Sequence, residues 1–274
     1  MKTFIVPTDF SMNAQHASSY AVQLARQLHA RVILMHAYEP PVAISEYEVS
    51  TIHFDTMKEH IVRRLEERKE ELQMEFGRDI PIETRAFEAD LIGHIKELYA
   101  QPEASLAVIG LTGAGMANFF LGSNTLNIVN NVGRIVLTVP PYARFRPIKK
   151  VIFACDMTEV AATVPAARIK RIIQLLEAEL LVLNIRKPQQ PSPEMEAERE
   201  TLESMLQGIP FSFHALERRN VVAGIKDFAR TQAADLVAII PHKRDFLAKL
   251  LGGSHTKAML FRSGIPILTL PVED

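Results

Sequence analysis

A single cysteine, Cys155, leaves no internal disulfide to be made, and nine histidines scattered without cysteine partners present no zinc-type spacing. An excess of charge is missing too. The chain sets 31 Lys+Arg against 32 Asp+Glu, a net charge of −1, so it offers no basic field for counter-ion release on nucleic acid. No apolar run approaches the ~18 residues that a membrane-spanning helix requires. The opening segment, Met1 to Pro7, carries one positive charge and a short apolar stretch broken by proline, which reads as a strand and not as a signal peptide. No GxxxxGK[ST] sequence occurs, which argues against a kinase-like or motor-like NTPase. Together these absences lead to the expectation of a cytoplasmic protein with neither a membrane nor a nucleic-acid partner. What the chain does have is 274 residues, 47% of them hydrophobic, enough apolar material for two packed domains of ordinary size.

The sequence contains an internal repeat, and repeats decide architecture. Phe4-Ile5-Val6-Pro7-Thr8-Asp9 returns as Val151-Ile152-Phe153-Ala154-Cys155-Asp156, an apolar run ending in aspartate. The run Arg31 to Ala37 is echoed by Glu179 to Ile185, Ile95 to Leu98 by Ile225 to Phe228, and Ser105 to Ile109 by Asp235 to Ile239. Gly122-Ser123 recurs as Gly253-Ser254, and Val136-Leu137-Thr138-Val139-Pro140 as Ile267-Leu268-Thr269-Leu270-Pro271. The blocks keep their order, which chance similarity between buried strands would not reproduce.

Within each copy, short apolar runs alternate with segments of helical period. Ala17, Tyr20, Ala21, Leu24 and Leu28 share one helical face, as do Ile169, Ile172, Ile173 and Leu176. A third helix, predicted from about Lys58 to Phe76, carries Ile61, Leu65 and Leu72 as a narrow stripe and reads as a surface helix. Strands apolar on both faces, separated by helices, imply a doubly wound parallel α/β fold. The segment Pro140-Pro141-Tyr142-Ala143-Arg144-Phe145-Arg146-Pro147 holds three prolines and marks a domain boundary, giving domains 1–146 and 147–274. The proline-rich stretch from Lys187 to Pro193 matches the loop opening at Glu39-Pro40-Pro41 and reads as a long loop.

Ligands of such sheets lie beyond the carboxyl ends of strands, where strand order reverses. In the first copy the candidates are Pro7, Thr8 and Asp9 after strand one, His36-Ala37 after strand two, and the loop Gly110-Leu111-Thr112-Gly113-Ala114-Gly115 after strand four. That loop runs on to Gly122-Ser123-Asn124-Thr125, which reads as the start of another helix. Glycines admit close backbone approach, and amides and hydroxyls at a helix start stabilise an anion, so a phosphate cradle is one reading. Turn glycines and a capping serine are the other.

The combination PTDFS at 7–11, LMHA at 34–37, IGLTG at 109–113, GSNT at 122–125 and a closing LTVP resembles the universal stress protein family in its tandem form. The resemblance covers essentially the whole chain. It implies two similar doubly wound five-stranded domains of the adenine-nucleotide alpha-hydrolase-like type, related by a pseudo-two-fold. It also implies an ATP or related adenine-nucleotide site, with Mg²⁺ able to accompany the nucleotide. Carried over, Asp9 lies near the ribose, Ala37 near adenine, and Gly110, Gly113, Gly122 and Ser123, with Asn124 beside them, around the phosphates. Two departures stand out: eight residues, 114–121, separate the glycine pairs where the family usually has nine, and Thr112 replaces a common histidine.

The second copy departs further, with Ile240 and Lys243 at the positions of Gly110 and Gly113, although Gly253-Ser254 survives. Lys243 and Arg244 read as a surface basic pair, and Asp156, His242 and His255 have no metal-ligand spacing. The leading expectation is a nucleotide-binding stress-response module with its site in the N-terminal copy. A slow ATPase using Asp9, and an interaction module binding no nucleotide, remain alternatives. The final strands, Val136 to Val139 and Ile267 to Leu270, are expected to pair the two domains within the chain, with a second copy or another protein as a further partner.

Overall fold

The computed structural model describes residues 2–39, 52–111, 123–186, 193–240 and 264–271, with the side chains of 52–55, 123–126 and 193 left out. By contact density the chain divides into two compact units, Met1–Gly110 and Leu111–Asp274.

The first unit runs β1 (Lys2–Pro7), α1 (Met12–Leu28), β2 (Ala30–Tyr38), α2 (Ile52–Phe76), β3 (Ile82–Glu88), α3 (Leu91–Tyr99) and β4 (Ala104–Gly110). Its strands lie in the order β3-β2-β1-β4, all parallel. Phe4, Ile5, Val6, Val32, Ile33, Leu34 and Met35 are at most 1% exposed, as expected for strands covered on both faces. Each such side chain contributes roughly 1.5–3 kcal/mol of burial. The helix expected from Lys58 begins earlier, at Ile52, and its stripe of Ile61, Leu65 and Leu72 is buried. Arg68 of α2 fastens the two helices together, donating to Ser18 Oγ, Ser19 Oγ and the Gln15 carbonyl of α1.

The second unit contains α4 (Ser123–Asn131) and β5 (Val136–Val139), then β6 (Lys150–Ala154), α5 (Val160–Thr163), α6 (Ala166–Leu176), β7 (Glu179–Arg186), α7 (Pro193–Met205), β8 (Phe211–Glu217), α8 (Val221–Thr231), β9 (Leu236–Ile239) and β10 (Ile267–Thr269). The strands of the C-terminal repeat take the order β8-β7-β6-β9-β10, again parallel. The repeats agree in detail. Pro7 sits opposite Met35 and Ala154 opposite Leu183. Asp90 caps α3 by accepting from Gly93 N–H at 2.9 Å, and Asn220 caps α8 by accepting from Ala223 N–H at 3.0 Å.

One difference between repeats is local. The continuous α1 has as its counterpart a helix broken into α5 and α6, because Pro165 cannot extend the helix and holds Val164 in an extended conformation (φ −92°, ψ 114°).

The expected pairing of the closing strands is present. β5 and β10 are antiparallel, with Ile267 opposite Thr138, Leu268 opposite Leu137 and Thr269 opposite Val136. Since Leu137 and Leu268 are equivalent in the two repeats, this register is a local two-fold centred on them. The division by contact falls at 110/111 and not at the sequence boundary of 146/147, because β5 counts its neighbour β10 within its own unit. Among the described residues no helix is long and apolar enough to cross a membrane.

Candidate functional site

Strand order reverses between β1 and β4. β1 pairs with β2 as far as Pro7↔Met35, whereas its register with β4 ends at Ile5↔Ala107. The carboxyl ends of β1 and β4 therefore part, which is where a doubly wound sheet opens a crevice.

Pro7 ends β1 half-buried, and Thr8 follows it, 6% exposed. Thr8 N–H donates to the Met35 carbonyl at 2.8 Å, and its Oγ1 accepts from Phe10 N–H at 3.0 Å. The Thr8 carbonyl lies 2.6 Å from Nδ1 of His36, so the imidazole carries its proton on that nitrogen. Asp9 is exposed, and its Oδ1 accepts from Ser11 N–H at 2.9 Å in an Asx turn that leads to the Ser11 cap of α1. Ala37, half-buried in β2, is the next residue after His36.

The same turn is built twice. Thr158 N–H donates to Asp156 Oδ1 at 3.2 Å, and Asn184 Nδ2 donates to the Cys155 carbonyl at 3.0 Å. Asn184 stands where the first copy has His36, so a different side chain makes the same tie. Phe10 and Met157 both take positive φ, 62° and 59°. The aspartate turn is thus a property of the fold in both repeats.

What separates the repeats is the end of the fourth strand. A Cβ placed on Gly110 would lie 2.5 Å from the Asn13 carbonyl oxygen and 3.1 Å from Ala14 N. The atoms that approach this glycine are the backbone of the first turn of α1. In the C-terminal repeat Ile240 occupies the position and is 4% exposed. α1 packs along β4, whereas α5 and α6 touch β9 little, and the helix there is broken at Pro165.

Gly113 and Gly122 lie outside the described residues, as do Lys243, Arg244, His242 and His255. Ser123 and Asn124 open α4, and their side chains are not described. No group of three or more His, Cys, Asp and Glu residues able to hold a metal occurs among the described residues.

Two side chains at these loops were not legible in the motifs. Arg64 of α2 holds its guanidinium carbon 4.0 Å over the centre of the Phe10 ring, which in turn lies 4.7 Å from the His36 ring. Glu198 of α7 reaches the corresponding loop of the second repeat and accepts from Val160 N–H at 2.8 Å.

Cys155 lies in this second loop. Its burial, with the charges of Asp156 and Glu198, outweighs the Met157 amide and pushes the thiol from about 9 up to about 12. The unfolded chain would lose this proton first, so stability should decline as pH rises from about 9 to about 12. At pH 8 a maleimide should leave the folded protein unmodified and label it in denaturant. Mass spectrometry would read the result, and rapid labelling of native protein would contradict the burial argument.

Comparison with known proteins was informative at the level of family and fold. The model of the universal stress protein family matches residues 1–140 and again 147–271. A search of curated proteins returned no match. Among solved structures, a universal stress protein from Archaeoglobus fulgidus DSM 4304 is 15% identical, with 98% of each chain covered and a TM-score of 0.69. A putative universal stress protein from Pseudomonas aeruginosa UCBPP-PA14 is 17% identical, covering 99% of this chain and 94% of its own, with a TM-score of 0.54. A universal stress protein in complex with cAMP matches 50% of this chain over 96% of its own, at 26% identity and a TM-score of 0.39.

Proposed function

Because the chain belongs to the universal stress protein family, with one family domain at 1–140 and a second at 147–271, we propose that it is an adenine-nucleotide-binding regulatory module holding one nucleotide per chain. The site is the crevice of the N-terminal repeat. Asp9 meets the ribose, Ala37 the adenine, and the backbone of the loop from Gly110 through Gly113 to Gly122, Ser123 and Asn124 the phosphates. The observation that carries this reading is the contrast at the end of the fourth strand. In the first repeat Gly110 lets the start of α1 come against β4, so the helix N-terminus and the glycine loop begin side by side. In the second repeat the buried Ile240 replaces that arrangement. The domain boundary near residue 146 belongs to the same reading, since it assigns β5 and its preceding glycine loop to the N-terminal repeat.

We expect binding without efficient turnover, since the sequence motif that places Asp9 brings no base and electrophile with it. Mg²⁺, if required, arrives with the nucleotide. Mass spectrometry of small molecules released by heat tests the ligand class. Calorimetry with ATP tests its place: Gly113→Val should weaken binding tenfold or more, while Lys243→Ala should leave it within about twofold. Two equivalent sites in the parent, or a loss on Lys243→Ala alone, would put the ligand in the wrong repeat.

A further inference from the structure

Arg64 is exposed, and it takes no part in the ion pairs formed among the described residues. Its neighbours on α2 are engaged: Arg63 with His60, Arg68 with Glu71, and Lys69 with Glu66. What holds Arg64 is a ring. Its guanidinium lies 4.0 Å over Phe10, Phe10 lies 4.7 Å from His36, and His36 is fixed by the Thr8 carbonyl at 2.6 Å. A cation–π contact of this kind holds the guanidinium against a ring face, which takes up none of its N–H donors in ordinary hydrogen bonds.

The column adjoins residues of the proposed site along the chain. Phe10 directly follows Asp9, and His36 directly precedes Ala37. A planar cation, pre-positioned and with donors to spare, is the group best suited to a phosphoryl oxygen pair. The C-terminal repeat supplies a contrast. There the helix after the second strand sends a carboxylate, Glu198, to the loop after the first strand. The cation thus accompanies the repeat that keeps Gly110, and the carboxylate accompanies the repeat that has Ile240.

We propose that Arg64 is a specificity residue of the N-terminal crevice, donating to a phosphoryl group of the adenosine ligand and so favouring phosphorylated adenosine over the nucleoside. This rests on the nucleotide reading above. The phosphoryl group could sit on the 5′ or the 3′ side of the ribose, and the choice of probe separates them.

Titration calorimetry would measure ATP, 3′-AMP and adenosine against the parent, Arg64→Ala, Arg64→Lys and Phe10→Leu, with thermal melts confirming that each variant is folded. Arg64→Ala should weaken ATP or 3′-AMP tenfold or more and adenosine less than twofold. Whichever phosphorylated ligand suffers marks the side on which the phosphoryl group sits. Arg64→Lys should recover part of the loss because it keeps the charge. Phe10→Leu should show an intermediate loss because it removes the platform. Raising salt should weaken the parent's binding more than that of Arg64→Ala. Equal losses for adenosine and the phosphorylated ligands would show that Arg64 only walls the crevice, and no loss would show that it lies outside the site; either overturns the proposal while leaving the nucleotide reading intact. A parent that binds none of the three probes would overturn both.

Discussion

Gly110→Val should lower the melting midpoint by about 12–24 °C, corresponding to roughly 3 kcal/mol for the unit Met1–Gly110. The reason is the atom that a side chain would meet. A Cβ at Gly110 falls 2.5 Å from the carbonyl oxygen and 2.8 Å from the carbonyl carbon of Asn13. Those are backbone atoms of a helix tied down by the Ser11 cap and by Arg68, so no flexible side chain can swing away to relieve the clash. Either α1 lifts from β4 or the end of β4 is displaced, and both disturb the place where β1 and β4 diverge. Ile240→Ala should also destabilise, by about 2–5 kcal/mol, for the opposite reason: it removes a side chain that is 4% exposed and leaves a cavity. Differential scanning calorimetry reads both. A valine variant that melts with the parent would mean that the helix start does not press on this glycine.

That contrast also separates what the sequence declared from what it concealed. β1, β2, β4 and β5 were legible because each is a continuous apolar run, and a strand covered on both faces needs one. β3 and β8 were not singled out, and their exposure explains it: both are mostly half-buried along their length, so Ile82-Glu83-Thr84-Arg85-Ala86-Phe87-Glu88 mixes charged and apolar residues. The first turns of α2 were missed although Phe54, Met57, Ile61 and Leu65 keep helical spacing.

At the site, the aspartate ending the first strand could be read directly, and it recurs with its turn in both repeats. The tie behind it could not. His36 and Asn184 share no family likeness, yet each donates to the carbonyl of the residue before the aspartate. Arg64 was hidden for a different reason: it belongs to another helix, and only packing of α2 brings it over Phe10. At Gly110 the motif also answers a demand of the fold. Its absent side chain makes room for protein backbone.

Truncating the centre of the β5–β10 pair should be the other large effect. Leu137 and Leu268 are 1% and 5% exposed and sit directly opposite each other. Leu137→Ala and Leu268→Ala should each cost about 2–5 kcal/mol through lost burial and the cavity left behind. Their effects should not add. Residues in contact share the same packing, so the second truncation removes less than the first, and a coupling of about 0.5–3 kcal/mol is expected from a double-mutant cycle. Thr138 and Thr269 flank the pair on the same two strands, buried at 1% and 2% with hydroxyls that find no partner among the described residues. The apolar contact between the leucines and the strand hydrogen bonds are the stabilising contacts seen at this junction. Leu183, 1% exposed in β7 and three strands away from β10 in the same unit, serves as the control: Leu183→Ala should be similarly costly but additive with Leu268→Ala. Denaturant unfolding of the single and double variants would decide it. Additivity between Leu137 and Leu268 within about 0.3 kcal/mol would mean that the two closing strands do not share a core, and the register of β5 against β10 would then be wrong.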